Sequence, residues 1–487
     1  SGRGILLNGN GASADLGSDS TVEMSGFYDG SGIDLMTGSG TFSADNLTVD
    51  VSGNRVYGIQ EDGGSMNLGM GSTISATGTA ETIWVNGGDF TASGLTVNTA
   101  QSTGINAQGG SDNVVVSVGE DSVVDGRNVG ADGSTNGISA TYAGFGSGTT
   151  TFNFNGSAAN RNEIYAVNGY GASSQFSGQT MNISNTDITM SGDGKSRGLW
   201  AIGDNDMGSG GVINGDNLTI DMTAAGANSV GVEVQQGGIV NLTGNTTITT
   251  DGGVAIRNAY TTDSKGTFEP GGTITGSGNM TIEGDIVSDG WGSIDLTMDA
   301  QSNFTGATSV NADITDLDPD AYSTLNLTLA NQAQWTVTDD SSLTDLTNDG
   351  KVVLASDMEN GTYSTLDADT ITLQDNSELD VDYAAAQASQ GGTPLITGGT
   401  ITLDGDLKVS DSEVSDLSDL TSDQQLSQGK IVLIDADSAI NGNFSSLSMD
   451  SADQPDYLAF SGQINPNDDT QYLLGAGLSW YADSAST

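Results

Sequence analysis

The chain has 487 residues, with 63 Asp and Glu against 11 Lys and Arg, a net charge of −52, and neither Cys nor His. Disulfides, thiolate nucleophiles, His bases, Ser-His-Asp triads and Cys/His zinc sites are therefore excluded. So acidic a surface also argues against nucleic acid and anionic membranes, because counterion release needs a cationic face; most of the carboxylates read as a solubilising shell.

The first residues, SGRGILLNGN, lack the basic and apolar segments of a signal peptide, and no apolar run is long enough for a membrane-spanning helix. Gly (71) is abundant while Pro (5) is scarce, and Gly, Ser, Thr, Asn and Asp separate short apolar runs. That pattern predicts many short strands joined by tight turns.

Strand centres are predicted at Ile59, Ile83, Ile105, Ile138, Ile164, Leu199, Val232 and Val254. They recur with a basic period of about 22 residues, and some steps are longer by about ten. A Gly-Gly-x-x-Asn cadence accompanies them at Gly63-Gly64…Asn67, Gly109-Gly110…Asn113, Gly210-Gly211…Asn214 and Gly237-Gly238…Asn241. Units of this size without a helical period indicate an all-β solenoid, a right-handed parallel β-helix with three strands per coil. Apolar centres would stack inward, Gly would turn the chain, and the Asn residues would form a side-chain ladder at a turn position. The longer steps read as loops, over 127–137 and 192–198.

If the centres face inward, the following residues face outward. They form a column of Gln60, Trp84, Asn106, Ser139, Tyr165, Trp200 and Glu233, beside a lane of Gly58, Gly104, Gly137, Gly198 and Gly231. Arg55, Arg161, Lys195, Arg197 and Arg257 lie close in sequence. Aromatic, amide and cationic groups on a flat lane suit sugar stacking and protein hot spots alike. The candidate ligand-binding residues are therefore Gln60, Trp84, Asn106, Arg161, Tyr165, Lys195, Arg197, Trp200, Glu233 and Arg257, with the two loops as a rim. The alternative is that Trp84 and Trp200 merely cover the sheet while the cations pair with local carboxylates.

Residues 1–320 are read as these coils, with DLDPDAY (316–322) at the boundary. Residues 321–475 are read as a C-terminal β-helical cap, since an open solenoid end needs covering. The stretch LTLANQAQWTVTDDSSLTDLT resembles the passenger domains of AIDA-type autotransporters of Gram-negative bacteria, through Trp335, Thr336, Val337, Thr338, Asp340, Ser341 and Leu343. Asp339 stands where that family usually has Gly. The tail from 476 resembles the start of the link into a membrane β-barrel, so the sequence reads as a passenger cut before it, tethered to the membrane only through that barrel. The nearest relatives this suggests are the Upa-type adhesins.

The resemblance implies a bacterial cell-surface protein, secreted across the outer membrane, that binds host extracellular-matrix components: a fibronectin-like protein, a glycosaminoglycan-like polysaccharide, or both. Self-association leading to aggregation and biofilm is the alternative. A polysaccharide lyase or hydrolase is a third reading, with Asp204/Asp206, Asp316/Asp318/Asp320 and Asp404/Asp406 as its carboxylates; such groupings arise readily among 63 acids. The chain is expected not to be an enzyme and to need no cofactor or metal. The tripeptide LDV at 379–381 lies in strand-like alternation and reads as structure.

Overall fold

The computed structural model describes residues 2–38, 40–129, 133–142, 148–203, 210–262, 268–311, 322–410, 430–449 and 458–478. Strand makes up 68% of it and helix 1%, so coil walls carry nearly all the order. The chain falls into two compact units.

The first unit comprises Ser1–Gly276, Val287–Ile294 and Asn311–Ser323. It is a parallel β-helix whose coils each supply one strand to three faces. On the first face the inward row runs Ile33, Ile59, Ile83, Ile105, Ile138, Ala172, Leu199, Val232 and Ile256, each paired with the next. The second face carries a β-branched row from Val22 and Val49 through Val124, Ile164 and Ile188 to Ile220 and Ile248. The third is built from larger groups, including Phe42, Met66, Phe90, Phe152 and Met181. These rows are essentially solvent-free, apart from Val22 at one end.

Two predicted centres move. Ile164 belongs to the second face, between Val124 and Ile188, and the first-face residue of that coil is Ala172. Val254 pairs with Val230, which makes Ile256 the last centre.

The glycine lane is also corrected. Gly58, Gly104, Gly137, Gly171, Gly198 and Gly231 are buried, not exposed. The ladder skips a rung at these glycines: in one pair Arg197 and Val230 are partners, then Leu199 and Val232, with Gly198 and Gly231 omitted. The chain bends there, so two consecutive residues point inward. A Cβ on Gly198 would lie 2.5 Å from the Gly231 carbonyl oxygen and 2.5 Å from Ile220 Cγ2; one on Gly171 would lie 2.4 Å from Ile188 Cγ2. The lane is thus the corner into which the branched second-face row packs.

The Asn ladder exists, but on strands of the third face and not at turns. Asn182 Nδ2 donates to Asn153 Oδ1 (2.8 Å), Asn214 to Asn182 (2.9 Å) and Asn241 to Asn214 (2.9 Å), with Ser117 and Thr275 extending it at either end. Asn67 lies in the same column beside Thr91, and its Oδ1 accepts instead from Gly69 N; Asn113 lies outside it and accepts from Thr149.

The second unit comprises Ser277–Ile286, Asp295–Val310 and Thr324–Thr487. Its parallel strands include Gln334–Val337, Lys351–Leu354, Glu378–Asp382 and Asp406–Ser410, paired in that order. Trp335 is fully buried, stacked on Phe304 at 5.4 Å, and donates its indole N–H to the Gly306 carbonyl. Leu379 and Val381 are buried and Asp380 meets Lys351 at 3.1 Å, so the LDV tripeptide is spent on structure. The short helix Tyr383–Ala388 is capped by the Asp382 carboxylate. Two antiparallel strands, Leu458–Asn465 and Asp468–Leu478, end the described chain, the second pairing with Ile431–Ala436.

Candidate functional site

The first face of the first unit gathers most of the predicted column. Gln60 pairs with Trp84, Trp84 with Asn106 and Asn106 with Ser139; Ser173, Trp200, Glu233 and Arg257 follow. Tyr165 is not in this column. It pairs with Asp125 and Thr189 on the second face, and Ser173 takes its place. Arg161 is on the second face too, where it donates to Asp187 Oδ1 (2.7 Å) and Thr219 Oγ1 (3.2 Å).

Both column tryptophans are half-buried and braced in the same way. Trp84 Nε1 donates to Gln108 Oε1 (3.1 Å), and Tyr57 stacks on the indole at 5.5 Å and 22°. Trp200 Nε1 donates to Gln235 Oε1 (3.3 Å), and Tyr170 lies 5.8 Å away at 41°. In each set the Gln comes from the following coil, and the Tyr lies three residues before the column in the preceding coil. Satisfying the indole N–H and stacking one side fixes each ring with little rotamer freedom. Sequence periodicity missed Tyr57, Gln108, Tyr170 and Gln235; the available signal was their constant offset from the column, not their residue type.

Lys195, Arg197 and Arg257 are paired. Arg197 and Lys195 both reach Glu233, whose side chain has 0% exposure, and Gln235 donates to it at 2.7 Å. Glu233 therefore does not face solvent as the column predicted. Arg197 Cζ also lies 4.6 Å from the Trp200 ring centroid. Arg257 pairs with Asp289, and although burial works against its charge, that carboxylate holds its pKa above the usual guanidinium value. Gln60 turns to Asp62 (3.0 Å), and Asn106 donates to Glu81 (3.4 Å).

On the second face Arg127 lies over Tyr165 at 3.8 Å and pairs with Asp125, whose pKa it lowers through that hydrogen bond. Burial first, then the hydrogen bond to Glu163, pushes the Tyr165 phenol up.

The predicted rim comprises the loops 127–137 and 192–198. Residues 130–132 of the first loop lie outside the described residues, and Arg197 and Gly198 of the second belong to the strand Arg197–Ile202. The carboxylates Asp204/Asp206 and Asp316/Asp318/Asp320 also lie outside the described residues. Asp404 accepts from Ser445 and from Gly405 N, and Asp406 accepts from Ser446 of the neighbouring strand, so both carboxylates make structural hydrogen bonds. Among the described residues no group of three acids is placed to hold a metal.

No family model matches the sequence. A protein of Escherichia coli strain K12 named probable autotransporter YcgV is 32% identical over 401 residues, covering 76% of this chain and 36% of that protein. The chain is a homologue of this probable autotransporter. A second YcgV protein, from Escherichia coli O157:H7 and described as putative and uncharacterized, is 32% identical over 344 residues, 69% of the chain and 56% of its own length. The autotransporter homologue thus spans between about a third and a little over half of these relatives. Its described residues include no helix long and apolar enough to cross a membrane, which leaves crossing by strands untouched.

Proposed function

We propose that this autotransporter homologue is the displayed passenger of a bacterial surface protein, secreted across the outer membrane, and that it works as an adhesin through the first face of its β-helix. The observation that carries the reading is the pair of tryptophans in one column, each held by a Gln and a Tyr. Ring surfaces fixed in advance lose little entropy on binding, which is what contact residues of an adhesive surface require.

The partner is a host extracellular-matrix protein or glycan. Pairing of Arg161, Lys195, Arg197 and Arg257 with carboxylates favours a matrix protein or an uncharged glycan over a glycosaminoglycan, since a polyanion would have to displace those pairs against the acidic field. A non-catalytic role agrees with the homology and with the structural hydrogen bonds of Asp404 and Asp406.

The test is binding of the purified chain, and of cells displaying it, to immobilised matrix proteins and glycans at two salt concentrations. The double variant Trp84→Ala/Trp200→Ala should lose adhesion, whereas Tyr165→Ala on the second face should keep it. The reverse order of effects would refute the assignment of the face. Sedimentation of the same sample distinguishes self-association, which would appear as assembly without any host ligand.

A further inference from the structure

The three strands between the two braced tryptophans, Thr103–Gly109, Asn136–Tyr142 and Tyr170–Gln175, contain no charged residue, in a chain whose net charge is −52. Charge returns on either side, with Glu81 accepting from Asn106 at one end and with Arg197 and Glu233 around Trp200 at the other. The neutral window carries amides and hydroxyls. Thr141 donates to Asn106 (3.0 Å), Asn136 to Thr103 (3.3 Å), and Gln175 to Ser173 (3.1 Å), while Ser139 and Ser173 share a hydrogen bond at 2.9 Å. Ser139 and Ser173 are themselves buried, at 1% and 0% exposure, so the groups a ligand can reach are the half-buried Asn106, Gln108, Asn136, Thr141 and Gln175. Gln108 gives its Oε1 to Trp84, and its Nε2 donates to no group among the described residues.

From this we infer that the window is a binding site for a linear uncharged glycan lying along the coil axis, with the Trp84 and Trp200 pairs at its two ends. The inference rests on the adhesive reading of the first face and specifies its ligand. Three features carry it. Sugars are recognised by stacking of their apolar faces on aromatic rings and by amide and hydroxyl partners for their own hydroxyls, and the window supplies both groups side by side. Lack of charge leaves no cation within the window to engage a carboxylate or sulfate, and the acidic field of the surrounding chain disfavours an anionic glycan. Spacing is the third. Trp84 and Trp200 are separated by four coil steps through Asn106, Ser139 and Ser173, or roughly 19 Å at about 4.8 Å per step. One pyranose of an extended glycan advances by about one coil step, so about four units span the two ends.

The experiment titrates the full chain with neutral gluco-, manno- and galacto-oligosaccharides of two to six units, and with heparin, at low and high salt. The expected result is saturable binding of a neutral series whose affinity rises steeply up to about four units, changes little with salt, and falls about tenfold in Trp84→Ala and in Trp200→Ala. Trp84→Phe should recover part of the loss, and Gln108→Ala should weaken binding about threefold. Circular dichroism of each variant confirms that the coils persist. Binding of heparin alone with strong salt dependence, absence of saturation by every neutral series, or a neutral-glycan affinity unchanged in both Trp→Ala variants would each overturn the inference. Loss of cell adhesion in the Trp variants without any neutral-glycan binding would sink the ligand class and leave the adhesive face standing. Glycan binding without adhesion would do the opposite.

Discussion

Arg197 extends from one coil to pair with the carboxylate of Glu233 on the next, and that carboxylate is wholly buried while the guanidinium is only 19% exposed. A buried acid in this position needs its partners: Lys195 contributes a second cation at 3.5 Å, and Gln235 a hydrogen bond. Glu233→Gln should therefore lower stability by about 1–3 kcal/mol, because Arg197 loses its counter-charge in a partly desolvated site. Lys195→Ala should cost under about 1 kcal/mol, since that ammonium is exposed. Urea unfolding of both variants checks the ordering; equal costs would contradict it.

Glu61 predicts a pH dependence. It faces inward between Leu35 and Val85, and neither carboxylate oxygen has a hydrogen-bond partner. Burial, then the neighbouring Asp89 and Asp62, raises its pKa from 4.5 to about 9. The folded chain holds a proton that the unfolded chain releases, so this group's contribution is complete below about 4.5 and is lost as pH climbs towards about 9. Unfolding midpoints at constant ionic strength should fall across that window, and Glu61→Gln should flatten the fall. Identical slopes for the two proteins would show that the carboxyl is already ionised in the fold.

Gly198→Ala should destabilise the first unit by about 1–3 kcal/mol, as overpacking does, because the new methyl meets a carbonyl and the Ile220 side chain. The companion variant Gly252→Ala has open space but a φ of 66°. It should cost about 1 kcal/mol from backbone strain alone. Thermal melts of the pair separate steric from conformational penalties.

In the second unit, Trp335→Ala should cost about 3–5 kcal/mol through the cavity it leaves against Phe304, and Trp335→Phe should cost less while still losing the bond to Gly306. Intrinsic fluorescence during chemical unfolding would report both. A mild effect of the Ala variant would mean that the neighbouring coils close over the gap.

The solenoid and most of its first inward row were legible because Ile59, Ile83, Ile105 and Ile138 recur at a basic step of about 22 residues, the last lengthened by about ten. Face assignment was less so. Ile164 resembles those residues in every respect a sequence can show, yet it stacks on Ile188 of the second face, while the true member, Ala172, is too small to stand out. That one substitution carried Tyr165 into the wrong column. The glycine lane was misjudged for a different reason. Strand alternation assigns Gly198 to the outside, and only the bend at the skipped rung turns both Gly198 and Leu199 inward. The Asn ladder was half visible, because Asn214 and Asn241 follow a Gly pair while Asn153 and Asn182 sit in TTFNFN and QTMNIS, which have no such mark.

The Asn ladder has one more consequence. Every rung from Asn153 to Asn241 offers the same donor and the same acceptor, so the rungs are interchangeable parts: Asn241 would fit on Asn182 as well as on Asn214. Cohesion of this kind cannot tell the chain which coil comes next. The unequal lengths between strands, and one-off partners such as Arg197 with Glu233, must supply the address. Deletion of one whole coil should consequently be easier for this fold to absorb than loss of a few residues within a coil.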